Sequence, residues 1–271
     1  MRLVDFEYDG TKLSEVGFGV CNFDGGDEEQ EVGNIITMNN IKGQDSDVNF
    51  ASGSMYEDLF ELEFQICKIT CGDDSEFFIS ADDLKFIMRW LNRKKYLKFK
   101  PIYDDNSFSD VYYMATFNVS LIKMTGQVIG LTLQLKTNAP YGFGEAINIS
   151  GTMNSTEGFR VEDTSDEIGH ICCDAVIKCK QAGDLKISNS IDPNNILIVN
   201  NCSANEVITL HGATKIIESS LSGHTKLHND FNYNFMRIVN MYTDNINVFT
   251  STIPCEISIS YSPIRKVGIV I

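Results

Sequence analysis

The constraint that most narrows the folds open to this chain is a strict two-residue alternation of apolar and polar side chains. In Leu59-Phe-Glu-Leu-Glu-Phe-Gln-Ile66 the residues Phe60, Leu62, Phe64 and Ile66 are separated by acids or an amide. A helix, with 3.6 residues per turn, would scatter them around its axis, whereas a strand puts all four on one face. Phe117-Asn-Val-Ser-Leu-Ile-Lys-Met124 and Val128-Ile-Gly-Leu-Thr-Leu-Gln-Leu135 flank Thr125-Gly-Gln127. That arrangement predicts an antiparallel hairpin closed by a glycine turn. The fold is therefore expected to be mainly β.

One helix interrupts the strands. Ser80-Ala-Asp-Asp83 has the form of a capping box: a serine oxygen faces the free amides of the first turn, and two acids sit at the positive end of the dipole. Leu84, Ile87, Met88 and Leu91 then share a face, and Arg93, Lys94 and Lys95 are expected to close the last turn. Lys98 and Lys100 carry the basic run into a strand at Tyr96–Phe99. Such a run suits an acidic partner, or simply completes the helix dipole and solvates one face.

The strongest boundary is Lys136-Thr-Asn-Ala-Pro-Tyr-Gly-Phe-Gly144, where Pro140 forces Ala139 extended and two glycines relax the chain. Beyond it come nine short apolar segments: 147–149, 170–177, 184–187, 196–199, 207–210, 215–217, 237–241, 246–249 and 256–261. Turn residues punctuate them, as in Gln181-Ala-Gly-Asp184 and Ile191-Asp-Pro-Asn-Asn195, which predicts an antiparallel β-sandwich. Residues 24–31 and 43–53 are acidic or small and read as exposed loops around a strand at 34–38. A length of 271 residues suits two such domains.

The charge is −15 and uneven: residues 1–60 hold 13 acids and 3 bases, whereas residues 61–140 hold 10 of each. That surface repels phosphate backbones and speaks against nucleic acid as a partner. No apolar run reaches the ~18 residues of a membrane helix. Asp5, Glu7 and Asp9 argue against a cleavable signal peptide, which points to a cytoplasmic origin. In that setting the eight cysteines are expected to be reduced. Cys67-x3-Cys71 has a metal-like spacing with no second pair after it, and Cys172, Cys173 and Cys179 read as core thiols.

Catalytic signatures are missing: no phosphate loop, no Gly-x-Ser-x-Gly elbow, no His-Glu-x-x-His. His224 and His228 lie in a polar stretch and read as solvated loop histidines; Asp104-Asp105-Asn106 reads as an exposed turn rather than a calcium loop. Phe159, Tyr233, Phe235, Tyr242 and Phe249 are the rings on which a sugar would stack in a lectin-like sandwich, although each is expected in the core. Neither an enzymatic activity nor a bound cofactor or metal is expected.

Several short segments, in order, resemble one family. Phe6-Glu-Tyr-Asp-Gly10, Val16-Gly-Phe-Gly-Val-Cys-Asn-Phe23, Met88-Arg-Trp-Leu-Asn-Arg-Lys94, Ala139-Pro-Tyr-Gly-Phe143 and Tyr261-Ser-Pro-Ile-Arg-Lys-Val267 look like the distal tail proteins of long-tailed bacteriophages that infect Gram-positive bacteria. The resemblance implies a ring-forming β-barrel or sandwich-like domain over 1–140 with one helix, completed by 262–271, and a galectin-like sandwich over 145–260. It implies a ring, a hexamer in that family, that joins the tail tube to the tip or tail-associated lysin. Receptor-binding and tape-measure proteins are its further partners, and the virion tail tip, assembled in the bacterial cytoplasm, is its location. The alternative is a carbohydrate-binding module reading cell-wall sugars through the second sandwich.

Within that frame a subunit interface is expected where the basic residues Arg89, Arg93, Lys94 and Lys95 meet Asp24, Asp27, Glu28 and Glu29 of a neighbour. The apolar end Val267-Gly-Ile-Val-Ile271 has high strand propensity. Ile269, Val270 and Ile271 are expected to return to the first domain as a strand of its sheet or its interface.

Overall fold

The computed structural model describes residues 1–23, 38–41, 48–51, 59–69 and 78–269. The chain divides into two compact units, Met1–Phe143 with Lys266–Ile271, and Gly144–Arg265.

The first unit is built from β1 (Leu3–Tyr8), β2 (Thr11–Lys12), β3 (Phe18–Cys21), β4 (Met38–Ile41), β5 (Val48–Ala51), β6 (Glu61–Lys68), α1 (Ala81–Leu91), β7 (Leu97–Tyr103), β8 (Val111–Met124) and β9 (Gln127–Thr137). Seven of these strands form an antiparallel path in the order β2-β1-β7-β8-β9-β6-β3. The alternation first noted at 59–66 lies in β6, where Phe64 and Ile66 are buried. The hairpin predicted around Thr125 is β8–β9, with Met124 opposite Gln127. Thr125 and Gly126 have φ of 52° and 88°, so both turn residues are left-handed, as a two-residue hairpin that matches strand twist demands.

A run of rings fills the core. Phe6 lies 5.9 Å from Trp90, 5.4 Å from Phe99 and 5.8 Å from Phe117, and Tyr8 meets Phe117 edge-on at 5.1 Å. Helix α1 closes this core with Ile87, Trp90 and Leu91, and the Trp90 indole donates to the Tyr8 carbonyl at 3.1 Å. The capping box is present: Ser80 Oγ accepts from the Asp83 amide while Asp83 accepts from the Ser80 amide. Two expectations need correction. The helix ends at Leu91, so Arg93, Lys94 and Lys95 follow its C-cap Asn92 rather than close its last turn, where only Arg89 stands. Residues 43–53 are not all loop, because β5 pairs with β4, Met38 opposite Ala51; residues 34–37 of the expected strand lie outside the described residues.

Strand β10 (Gly142–Gly144) closes the first segment of the first unit and ends at the boundary. The second unit comprises β11 (Ile147–Met153), β12 (Phe159–Glu162), β13 (Gly169–Cys172), β14 (Asp174–Cys179), β15 (Gly183–Asn189), β16 (Leu197–Cys202), β17 (Val207–His211), β18 (Ile216–Ser219), α2 (Leu227–Asp230), β19 (Arg237–Asn240), β20 (Ile246–Ser251), β21 (Cys255–Tyr261) and β22 (Ile264–Arg265). Two antiparallel sheets, β11-β21-β14-β17-β18 and β12-β20-β15-β16, enclose one core, with β13-β19 as a separate pair. The apolar run 170–177 is not one strand. It breaks at the buried Cys173 into β13 and β14, which belong to different sheets. Strand β12 carries no counterpart among the nine segments seen in the sequence.

Buried amides stitch the sandwich. Asn247 is fully buried; its Oδ1 accepts from Asn189 Nδ2 at 2.7 Å and the Val239 amide at 2.8 Å. Its Nδ2 donates to the carbonyls of Val239 and Asn245. One side chain thus joins β15, β19 and β20, the role a neighbouring strand's backbone would otherwise play.

Candidate functional site

The basic segment after α1 is positioned rather than loose. Arg93 Nε donates to the Trp90 carbonyl at 3.2 Å, capping the helix C-terminus, and its own carbonyl accepts from Thr116 Oγ1 at 2.8 Å. Arg89, Lys94 and Lys95 are exposed beside it. Lys98, on β7, lies 4.3 Å above the Tyr112 ring. At the other end of the helix Lys68 Nζ pairs with Asp83 at 3.1 Å. Burial pushes Asp83 up, but bonds from Ser80 and Lys68 outweigh that and hold it below the ordinary carboxylate value. The acids Asp24, Asp27, Glu28 and Glu29 lie outside the described residues.

The end of the chain rejoins the first unit, but not as the strand its sequence suggests. Residues 266–269 form no strand. Ile269 is 1% exposed and belongs to the ring-filled core of the first unit, and Tyr113 Oη donates to the Val267 carbonyl. Ile269 is therefore consumed inside the unit instead of being offered to a neighbour. Val270 and Ile271 lie outside the described residues.

The second unit holds the most concentrated electrostatics. His224 is not a solvated loop residue. Its Nδ1 is 2.6 Å from Glu206 Oε1 and its Nε2 is 3.2 Å from Asp230 Oδ2, and the Glu206 side chain is wholly buried. Asp230 is delivered by the short helix α2, in a stretch expected to be loop. Glu206 also accepts from the Ser203 amide at 2.7 Å and Ser219 Oγ at 2.6 Å. Burial pushes Glu206 up and His224 down. The hydrogen bonds and opposite charges outweigh it, leaving Glu206 below and His224 above their ordinary values. Both imidazole nitrogens are engaged by carboxylates, which leaves neither for a metal or for proton abstraction. Among the described residues no group of three or more His, Cys, Asp or Glu is arranged to hold a metal ion.

The described cysteines are free thiols; Cys71 lies outside the described residues. Burial pushes Cys173 up to about 12, which makes it inert as a nucleophile. Asp104 and Asp105 cap a turn, accepting from the amides of Arg2 and Ser107. The rings divide. Phe159, Phe235 and Phe249 are core as expected, but Tyr233 and Tyr242 are 67% and 61% exposed. Each has a left-handed backbone, φ 61° and 60°, which a bulky residue rarely adopts.

Two family models match the chain: a phage tail protein N-terminal domain over residues 1–139 and a phage tail C-terminal domain over residues 141–261. This chain belongs to the phage tail proteins. Among solved structures the tail protein is similar to the Dit protein of phage SPP1, which is described as a paradigm of the hub adsorption apparatus in Gram-positive-infecting phages. The identity is 13%, the TM-score 0.63, and the match covers 96% of this chain and 99% of that one. At that identity the likeness establishes the fold, a distal-tail-protein architecture with a galectin-like sandwich. No curated protein matches the tail protein by sequence.

Proposed function

We propose that this tail protein is a non-catalytic structural part of the tail tip, in which copies close into a ring through the first unit. By the resemblance the ring is a hexamer. It joins the tail tube to the tip or tail-associated lysin and docks host-adhesion proteins on the sandwich, and the tape-measure protein is a further neighbour. The observation that carries the reading is a fold match over nearly the whole length of a hub protein, together with two tail-domain matches that span the chain. The tethered Arg93 and the exposed Lys94 and Lys95 beside it support the reading, since residues 1–60 of the same unit are strongly acidic. Opposite charge on one repeating domain favours head-to-tail closure.

Light scattering after size exclusion tests this directly. The expected mass is a closed multiple of 30.3 kDa, with six the expected number, and rings in negative-stain images. Lys94→Glu with Lys95→Glu should weaken the ring, and raising salt should do the same, because rim charges are screened within ~8 Å at physiological ionic strength. A protein that stays monomeric at ~100 μM, with the tail tube protein and lysin present or absent, overturns the proposal.

A further inference from the structure

The sandwich carries a cleft of about 350 Å³ lined by Cys172, Lys215, Tyr233, Asn234, Phe235 and Arg237. In a chain with 37 acids this lining holds two cations and no carboxylate. Lys215 Nζ sits 5.0 Å above the Phe235 ring and makes no hydrogen bond or ion pair among the described residues. Arg237 stands 3.8 Å from Asp192, too long for a bidentate clamp, and makes no side-chain hydrogen bond among them.

Tyr233 presents its ring to water by design of the backbone. It is the most exposed large apolar or aromatic side chain of the described residues. The ring is nonetheless fixed: Oη donates to the His228 carbonyl at 2.9 Å, and Phe231 packs at 5.4 Å. The backbone is held in a conformation that bulky residues rarely adopt while two thirds of the ring stays open to solvent above the cleft. A rigid ring face beside two cations suits a pyranose that bears an anion, since C–H groups pack on the ring while the anion meets the ammonium and guanidinium.

We propose that this cleft binds an anionic saccharide, with Tyr233 as the stacking platform and Lys215 and Arg237 as the anion contacts. It stands independently of ring formation. Titration calorimetry and ligand-observed saturation-transfer NMR on the full chain test it, with trigalacturonate as a carboxylate probe and glucose 6-phosphate as a phosphate probe. Maltotriose and inorganic phosphate serve as single-feature controls. One or both anionic sugars are expected to bind at least tenfold more tightly than either control, and which of them does so identifies the anion.

Tyr233→Gly removes the ring and suits the left-handed backbone, so it should abolish binding without unfolding the sandwich. Lys215→Glu should do likewise from an exposed turn position. Tyr242→Gly, equally exposed and equally left-handed but outside the cleft, should leave binding unchanged. Failure of both anionic sugars to bind at least tenfold more tightly than their single-feature controls, or Tyr233→Gly retaining wild-type affinity, would each overturn the proposal.

Discussion

The clamp on His224 predicts a specific dependence of sandwich stability on pH. The perturbation is His224→Ala. Glu206 is buried and accepts from three donors, the Ser203 amide, Ser219 Oγ and His224 Nδ1, at 2.7, 2.6 and 2.6 Å. The substitution removes the one donor that carries charge, and with it the 3.2 Å contact to Asp230. Losing one partner of a buried ion pair costs about 3–5 kcal/mol. Two neutral donors stay on Glu206, so the lower end, about 3 kcal/mol at pH 6, is expected, or roughly 10 °C in the Tm of the sandwich transition. The pKa of His224 is raised on folding. Its contribution is therefore complete below its unfolded value of about 6.5 and is lost as pH rises through the folded value. The difference between wild type and variant should thus shrink towards pH 9, where a neutral imidazole donates to only one carboxylate. Calorimetry that resolves the two units gives the energies. Proton NMR of the imidazoles gives the titration directly, and Glu206→Gln should lower the midpoint of His224 relative to wild type. A His224 whose midpoint is not raised above the ordinary imidazole value, or a penalty that does not shrink between pH 6 and pH 9, refutes the argument.

Asn247→Ala should destabilise the sandwich by about 3–5 kcal/mol, because four hydrogen bonds end at one buried side chain and each orphaned partner costs about 1–3 kcal/mol; denaturant unfolding checks it. Gly212→Ala should be as severe, since the added Cβ would lie 2.2 Å from the Cys172 carbonyl oxygen, a backbone atom that has nowhere to go; soluble yield and Tm report it. Ile269→Ala should cost about 2–4 kcal/mol in the first unit alone and leave the sandwich transition unmoved.

What was legible in the sequence was local. The β8–β9 hairpin and the capped start of α1 are written in neighbouring residues, so period and turn chemistry suffice to find them. The split of 170–177 is not local. β13 pairs with β19 and β14 with β21 and β17, partners 29 or more residues away, and the close approach of Gly212 to the Cys172–Cys173 backbone marks the switch. Strand β12 is four residues long and follows the polar stretch Asn154–Gly158, too short for its alternation to stand out. The clamp was hidden for the same reason, since Glu206, His224 and Asp230 come from a turn, a loop and a short helix. The one available signal was Ser203-x-x-Glu206, a spacing at which the carboxylate returns to the serine amide. The exposed tyrosines were missed because a composition rule places rings inside, and only the backbone reveals φ near 60°.

The return of the chain end changes what the sandwich is. Residues 266 onward rejoin the first unit, so the sandwich is inserted between two segments of that unit rather than appended to it. Its own ends meet: the Gly144 amide donates to the Pro263 carbonyl at 2.8 Å, and β11 runs antiparallel to β21 with Ile147 opposite Tyr261. A domain whose entry and exit strands are hydrogen-bonded neighbours can change its loops, such as those that carry Tyr233 and Lys215, without altering the spacing its host unit must span. The host unit, in turn, is not closed until Ile269 is placed in its ring-filled core. During synthesis the whole sandwich segment is therefore made before the first unit has all of its core. The full core of the first unit thus requires a chain whose sandwich segment has already been made, which follows from connectivity alone.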